Sequence, residues 1–241
     1  MARNQPPWPP EDRELAKFHG PHLAVDVALM TVAPDPDTDQ LTLATMLVRR
    51  AEGAAAGEWA LPGRFVRERE RLADAVRIAL HEKCGIEGIA PRQLFVADEP
   101  GRDDRGWVMS AAHTDTQRWD VLGPHLAKQP ETLALAWISR TPRYEVKIDL
   151  PGRQRALPFE QMDIIKRATL EMRARYESLP DPDGLLPDEF TVLQLREVHE
   201  AVLGHPLDKD LFRRKHVDRL IPTDALSSGG VGRPAQVFRK A

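Results

Sequence analysis

One stretch, from Gly63 to Ile86, constrains the fold of this chain more than any other; it reads GRFVRERERLADAVRIALHEKCGI. A turn at Leu61-Pro62-Gly63 opens it, and apolar residues then recur at the spacing of an amphipathic helix. The predicted helix ends after Lys83, a cation suited to the carboxyl end of a helix, because Gly85 can adopt the left-handed conformation that terminates one. Its apolar face consists of Leu72, Ala75, Val76, Ala79 and Leu80.

This loop–helix–loop resembles the Nudix box, the signature of enzymes that cleave nucleoside diphosphates linked to another group. With Gly85-Ile86 at the closing positions of the box, Glu70 falls on its first glutamate and Glu82 on one of its later pair. Four other positions depart from the family pattern. Arg64 replaces the opening glycine, Ile78-Ala79 stands where Arg-Glu is expected, and Lys83 replaces the last glutamate.

These departures have a chemical meaning. A Nudix helix presents several carboxylates to divalent metal ions, which neutralise the diphosphate and activate a water molecule. Glu82, with Glu70 nearby, would make a poor magnesium site, whereas Lys83 can meet a diphosphate directly as a compact positive charge. We therefore expect a domain that binds a nucleotide without cleaving it, with no catalytic residue, no metal ligand and no cofactor.

Length and composition set broad limits on the chain. With 241 residues, of which 41% are hydrophobic, it can form one large domain or two small ones around a real core. A single cysteine, Cys84, excludes an internal disulfide framework and fits a reducing compartment. No signal peptide is recognisable, and the longest apolar run, Leu23 to Ala33, is too short to span a bilayer. We expect a cytoplasmic protein without membrane contact.

The charge is unevenly distributed. From His205 to the end there are eight Lys/Arg and four Asp/Glu, a net charge of +4, so the preceding residues carry −7 of the total of −3. An acidic body with a basic carboxy-terminal part indicates that this part meets a polyanion.

The basic part has the pattern of a winged helix-turn-helix. Thr191 and Gln194 form a predicted capping box for a helix that runs to Leu203. Asp208 can cap a second, basic helix, Lys209 to Leu220, with Leu211, Phe212 and Val217 as expected core residues. The remaining segments are two short strands, Leu220–Pro222 and Gln236–Arg239, around a Gly-rich tip at residues 227–234.

A second resemblance narrows the family. The charged loop PGRDDRG at residues 100–106 separates the predicted strands Gln93–Ala97 and Gly106–Thr116. Together with the run LDKDLFRRK at residues 207–215, this arrangement resembles the NrtR-like repressors of NAD metabolism, and the resemblance extends from about residue 22 to 240. It implies an α+β chain with an amino-terminal Nudix-like α/β/α sandwich around a mixed sheet, followed by a winged helix-turn-helix domain.

In that family a Nudix-like domain senses ADP-ribose or a related nucleotide. The resemblance therefore implies a ligand-responsive, DNA-binding repressor whose partners are double-stranded DNA, a nucleotide effector and a second copy in a homodimer. The residues expected to bind the nucleotide are Arg64, Glu70, Glu82, Lys83, Arg102, Asp103 and Arg105. The residues expected to bind DNA are Lys209, Arg213, Arg214, Lys215, Arg219 and Arg233.

The expected organisation has four parts. They are a flexible arm at 1–20, a Nudix-like domain at 21–155, a connecting helix and linker at 156–184, and the winged helix at 185–241. An apolar stripe on the predicted helix Phe159–Tyr176 has two interpretations. The helix either lies on its own domain or forms the seam of a dimer.

Other functions remain open from the sequence. One alternative is a Nudix-type ADP-ribose pyrophosphatase with an accessory winged helix, its metal site rebuilt by Glu99, Asp103 or Asp104. Another is an RNA-binding winged helix. A zinc site at His81 and Cys84 lacks further ligands in the sequence, and Cys84 is expected to be a small buried residue. The remaining histidines are expected on the surface or in turns.

Overall fold

The structure is a computed structural model that describes residues 20–141, 145–227 and 234–240. The expected flexible arm, apart from Gly20, and most of the Gly-rich wing tip, including Arg233, lie outside the described residues. Among the described residues, no helix has both the length and the apolar character needed to cross a membrane.

A mixed sheet forms the amino-terminal domain. Its elements, with the helices that pack on it, are β1 (His22–Pro34), β2 (Leu41–Arg49), β3 (Trp59–Ala60), β4 (Gly63–Phe65), α1 (Leu72–Cys84), β5 (Arg92–Ala97), β6 (Val108–Thr116), α2 (Trp119–Lys128), β7 (Leu133–Ile138), β8 (Ile148–Asp149) and α3 (Gln161–Tyr176). The strands run in the order β5-β6-β1-β2-β7-β8, with β1 parallel to β6 and antiparallel to β2. In addition, β3 pairs with β2 and β4 pairs with β1.

Alternating side chains of β1 build a separate core on each face of the sheet, as the period of two in a strand requires. Val27 and Leu29 pack with α1 and α2 on one face. Ala28 and Met30 pack on the other face, against α3 and the first helix of the winged domain. The expected α/β/α sandwich with a mixed sheet is confirmed.

The end of α1 follows the sequence prediction closely. Gly85 adopts a left-handed conformation with φ of 66°, and Lys83 lies in the last helical turn. The sequence did not predict α2 or several short strands, among them β3, β4 and β8. Gly123 and Pro124 inside α2 are residues that usually break helices, so the sequence did not predict a helix there. In the structure, Leu122 of this helix is fully buried against the sheet.

The apolar stripe of α3 is buried within its own chain. Ile165, Met172 and Tyr176 are each at most 1% exposed. They fill the second face of the sheet and contact the winged domain, so the interpretation of this stripe as a dimer seam is wrong and the alternative, a helix packed on its own chain, is correct. A sheet with two apolar faces needs such a cover.

The winged domain contains β9 (Phe190–Thr191), α4 (Val192–Leu203), α5 (Lys209–His216), β10 (Leu220–Leu226) and β11 (Gln236–Lys240), with sheet order β10-β11-β9. The capping box of Thr191 and Gln194 is confirmed. Asp208 caps α5 by accepting a hydrogen bond from the Leu211 amide at 2.7 Å. The second helix is shorter than expected, because the chain tightens into a 3-10 turn at Val217–Arg219.

The expected core of α5 was partly wrong. Leu211 is 59% exposed, while His216 is 1% exposed and occupies the inner face beside Phe212. The expectation that the remaining histidines lie on the surface also fails for His113 and His199, which are buried. A helix of only eight residues offers few inward positions, and the histidine side chain takes one that the apolar pattern assigned to Leu211.

The segment at 179–184, expected to be a linker, is organised around one buried carboxylate. Asp181 accepts hydrogen bonds from the Tyr176 hydroxyl at 3.0 Å and from the amides of Leu185 and Leu186 at 2.8 and 3.2 Å. The oxygen that accepts from Leu186, Oδ2, also pairs with Lys240 of β11 at 2.7 Å. Asp181 therefore connects the end of α3 to the wing sheet.

Arg173 of α3 fastens the two domains at a second point. This side chain is buried and donates to the carbonyls of Val202 and Glu145, each at 3.0 Å. Gly204, which ends α4, has a φ of 79°, and a Cβ there would lie 2.9 Å from Arg173 Nη2 and 3.1 Å from the Thr141 carbonyl oxygen. Only glycine satisfies both the backbone conformation and the space.

We expect Gly204→Ala to lower the free energy of unfolding by about 2 kcal/mol, through left-handed strain and a steric clash. Gly88→Ala is the matched control, because Gly88 has a φ of 75° but open space around its Cβ position. It should lose only the strain contribution, about 1 kcal/mol. Urea denaturation measures both values, and equal losses would show that the contact with Arg173 has no effect on stability.

Two buried histidines lie between α4 and α5. His199 is fully buried and its ring centroid lies 4.9 Å from that of His216. Burial, and then the neighbouring His216, lower the pKa of His199 to about 3. Burial, followed by the charges of Lys215 and Arg219, lowers the pKa of His216 to about 4. Both rings are therefore neutral in the folded domain over the physiological pH range.

These lowered pKa values predict acid sensitivity. An unfolded histidine takes up a proton near pH 6.5, whereas the buried rings stay neutral at that pH. The free energy of unfolding should therefore be unaffected by these histidines above pH 6.5, and it should fall as the pH decreases toward the folded pKa values. Each histidine should contribute about 1.4 kcal/mol of loss per pH unit below its unfolded pKa. Urea denaturation between pH 7.5 and 5.5 should show a smaller slope for His216→Phe than for wild type. The exposed-site control His22→Gln should retain the wild-type slope, and an unchanged slope in His216→Phe would contradict the assignment.

Candidate nucleotide site and nucleic-acid interface

The candidate nucleotide site begins where β4 lies against β1. Gly63 pairs with Asp26 in the sheet, and a Cβ on this glycine would lie 2.5 Å from Asp26 Oδ1 and from the Val25 carbonyl oxygen. Lys83, in the last turn of α1, donates a hydrogen bond to the Gly63 carbonyl. The lysine that replaces a box glutamate therefore points back into the loop that opens the box.

Asp26 is the buried carboxylate at the centre of this site. It accepts hydrogen bonds from the Ser110 hydroxyl and the Gln161 amide, each at 2.7 Å, and a longer one from Arg102 at 3.4 Å. Asp26 lies within the apolar run Leu23 to Ala33, and the sequence did not single it out. A carboxylate inside an otherwise buried strand is the signal that could have identified it, since such groups are rarely buried without partners.

Two arginines and the ring of Phe159 form the outer part of the site. The guanidinium groups of Arg50 and Arg105 lie 5.0 and 5.2 Å from the ring centroid of Phe159. Arg105 also lies 5.4 Å from the ring of Phe65, and it forms a two-point ion pair with Asp103 at 2.8 and 2.6 Å. Sequence reasoning missed Arg50 and Phe159, which are distant from one another along the chain.

The buried carboxylates of this site do not balance its cations. The side chains of Arg50, Lys83, Arg102 and Arg105 supply four positive charges, against two from the buried Asp26 and Asp103. The exposed carboxylates of Glu58 and Glu82 also act on Arg50 and Lys83. Burial and then the charge of Arg105 lower the pKa of Arg50, and burial and then Arg50 lower the pKa of Lys83. The hydrogen bonds of Arg105 to Asp103 raise the pKa of Arg105. Cations that disfavour one another in a partly buried site are suited to an anionic ligand.

The structure brings four of the seven expected nucleotide-binding residues together, namely Lys83, Arg102, Asp103 and Arg105. Arg102 is buried and donates to the Phe159 carbonyl at 2.9 Å, so it acts within the protein. The other three expected residues are arranged differently. Arg64 and Glu70 form an ion pair with one another, Glu70 also accepts from the Arg67 amide at 2.7 Å, and Glu82 is exposed at the end of α1.

Metal-ligating side chains are not grouped in the described part of the chain, where no three of His, Cys, Asp and Glu could share one ion. Cys84 is buried, and burial raises its pKa to about 12. His81 instead contacts Glu87 at 2.8 Å. The pair considered for zinc is thus divided between a buried thiol and a surface ion pair.

The basic helix α5 presents its cations in two directions. Lys209, Arg213 and Arg214 are exposed. Lys215 donates to the Glu177 carbonyl and Arg219 to the Ser178 carbonyl, both just beyond the end of α3. Of the six expected DNA-binding residues, the five that the structure describes are all exposed, two of these also contact the α3 end, and Arg233 lies outside the described residues.

A cavity of about 310 Å³ lies beside this contact, between the α3 end and α5, and is lined by residues that include Leu211, Lys215 and His216. It is separate from the cluster around Asp26. The assignment of the nucleotide site therefore depends on its charges and hydrogen bonds and not on a cavity volume.

Comparison with known proteins identifies the two domains. Residues 184–239 match the family model of the NrtR DNA-binding winged helix domain. The chain is 28% identical over 233 residues to an ADPR-responsive transcriptional repressor, NtrR, from Acinetobacter baylyi, covering 95% of this chain and 85% of the relative.

Solved structures resemble the chain over nearly its whole length. NrtR from Shewanella oneidensis, in complex with a 27mer DNA, matches with a TM-score of 0.70 and 27% identity, covering 91% of this chain and 93% of that one. A MutT/nudix family protein from Enterococcus faecalis matches with a TM-score of 0.69 and 20% identity, covering 96% and 92%, which is a similarity of fold. The expected family resemblance is confirmed: residues 184–239 match the NrtR winged helix domain, and the chain as a whole is similar to the Acinetobacter baylyi repressor in sequence and to NrtR from Shewanella oneidensis in fold.

Proposed function

We propose that this chain is a DNA-binding transcriptional repressor of NAD-related metabolism that responds to ADP-ribose or a related nucleotide. The observation that carries the proposal is the group of four cations around the buried carboxylates of Asp26 and Asp103, in a Nudix-like domain joined to a winged helix that matches the NrtR family model. The DNA partner agrees with the cytoplasmic location expected from the sequence.

The cationic cluster suits a diphosphate without a bridging metal. Arg50 and Arg105 offer planar donor groups that can engage phosphate oxygens, and Lys83 adds a compact charge at the end of α1. In a Nudix enzyme the corresponding charge comes from metal ions held by carboxylates. Here the protein's own cations take that role.

We further propose that the Nudix-like domain does not hydrolyse the nucleotide. Lys83 lies against the Gly63 carbonyl, where its charge would repel a metal ion. Asp103, one carboxylate that could rebuild a metal site, is paired with Arg105, and that pairing lowers its pKa. The alternative of an ADP-ribose pyrophosphatase with an accessory winged helix therefore has few carboxylates available for the chemistry.

For DNA binding we propose that α5 enters the major groove, with Arg213 and Arg214 on its exposed face. A single winged helix reads a half-site, so a homodimer is part of this proposal. Because the stripe on α3 is buried within its own chain, the dimer contact must use another surface.

Replacing Arg213 and Arg214 with alanine should weaken binding to duplex DNA from the region upstream of the chain's own gene. The expected loss is about 1–3 kcal/mol for each base-contacting arginine. Fluorescence anisotropy at fixed salt measures it, with Arg77→Ala, an exposed arginine on α1, as the control. An RNA competitor should not displace the duplex. Unchanged DNA affinity in a folded double variant would remove α5 from the interface.

Calorimetry should detect ADP-ribose binding in the presence of a chelator, and Lys83→Ala should weaken this binding about tenfold, the effect of one charge-assisted contact. Burial and Arg50 lower the pKa of Lys83, whereas a bound diphosphate favours its charged form. The affinity for ADP-ribose should therefore be highest below the pKa that Lys83 has in the free protein, and it should decline as the pH rises through that pKa. Lys83→Arg should remove that decline.

The controls for this experiment address catalysis and surface charge. Lys166→Ala removes an exposed lysine on α3 that pairs with Asp163, and it should bind ADP-ribose as wild type does. A product assay with magnesium or manganese should show negligible turnover. Robust metal-dependent cleavage would instead favour the pyrophosphatase alternative.

A further inference from the structure

We propose that α3 couples the nucleotide site to the DNA-binding helix, and that Phe159 is the residue through which the helix responds to the nucleotide. The inference rests on the proposed functions of the two domains. It concerns three contacts that α3 makes along its length: at its start, at its middle and at its end.

The start of α3 is built into the nucleotide site. Arg102 donates to the Phe159 carbonyl at 2.9 Å, and the Phe159 ring lies against both Arg50 and Arg105. Gln161, the first residue of the helix, donates to Asp26 at 2.7 Å and accepts from the Leu61 amide at 2.8 Å. Any movement of these arginines toward a ligand therefore acts on the residues that begin α3.

The backbone at this junction is held in an unfavourable conformation. Phe159 and Glu160 are consecutive non-glycine residues with φ of 58° and 56°. The left-handed region is sterically unfavourable for such residues, and it persists where surrounding contacts hold it. A change in those contacts can therefore change the conformation of the junction.

The rest of α3 can carry such a change to the winged domain. Ile165 and Met172 are buried between the sheet and α4, and Arg173 ties the helix to the Val202 carbonyl. Just beyond its end, the carbonyls of Glu177 and Ser178 accept from Lys215 and Arg219 of the DNA-binding unit. One packed helix thus contacts the candidate site of the nucleotide and two candidate DNA ligands.

The coupling needs two arrangements that the ligands prefer to different extents. In one, Lys215 and Arg219 donate to the carbonyls beyond α3. In the other, they are released to meet DNA phosphates. A diphosphate that binds Arg50 and Arg105 fixes the distance between the two guanidinium groups. Because the Phe159 ring lies against both groups, its position then fixes the conformation of the residues that begin α3. That conformation determines the balance between the two arrangements.

The test compares Phe159→Ala with Phe65→Ala. Phe65 is a matched control, because Arg105 lies over its ring at 5.4 Å as it lies over Phe159 at 5.2 Å, but Phe65 belongs to β4 and not to the start of α3. The quantity measured is the ratio of duplex DNA affinities with and without ADP-ribose, determined by fluorescence anisotropy. ADP-ribose binding is measured separately by calorimetry.

Wild type and Phe65→Ala should each show a ratio that differs from one by at least about fivefold, within the usual range of allosteric coupling. Phe159→Ala should bind ADP-ribose and give a ratio within about twofold of one. If Phe159→Ala responds as wild type does, or if it cannot bind ADP-ribose, the relay is overturned. Should this variant fail to fold, Phe159→Leu is judged by the same criteria.

A second measurement needs no effector. Hydrogen exchange of the amides at residues 177–186 should be faster in ligand-free Phe159→Ala than in Phe65→Ala, because loosening the start of α3 loosens its end. Equal exchange in the two variants overturns the relay. If wild type binds no ADP-ribose, the proposed effector is wrong, and this exchange comparison alone decides whether α3 connects the two sites.

Discussion

The packing of α3 on the second face of the mixed sheet is the contact on which the rest of this structure depends. A sheet with two apolar faces must be covered twice, and α1 with α2 covers only one of them. Because α3 and α4 cover the other, the Nudix-like domain and the winged helix share one continuous core. The two domains are consequently joined by buried side chains, by Arg173 and by Asp181, and not merely by a length of chain.

Lys83, one of the residues that depart from the Nudix box pattern, lies in the same site as the start of α3. Loss of carboxylates from α1 removes metal ligands, and Lys83 with Arg50 and Arg105 places a group of cations near Asp26. The same side chains that would attract a diphosphate also hold Phe159 and, through Asp26, Gln161 at the start of α3. Binding chemistry and domain contact are therefore located in one place.

Much of the fold could be predicted from local signals in the sequence. Gly85 at the end of α1 and the capping box of Thr191 act over three or four residues, and both appear in the structure as expected. The site was less predictable, since Asp26, Arg50 and Phe159 meet only through the pairing of β1 and the packing of α3. Leu211 was assigned to the core because periodicity cannot tell which apolar residue of a short helix faces inward, and the domain places His216 there instead.

The central claim is that nucleotide binding without metal and DNA binding are linked in one chain. Linkage is reciprocal, so an effector that changes DNA affinity by some factor must have its own affinity changed by that factor when DNA is bound. The direct test is calorimetric titration of ADP-ribose, in chelator, into the chain alone and into the chain saturated with its duplex DNA. The account predicts that the two affinities differ by the same factor as the DNA affinities measured with and without ADP-ribose. Identical ADP-ribose affinities for the free and the DNA-bound chain would contradict it.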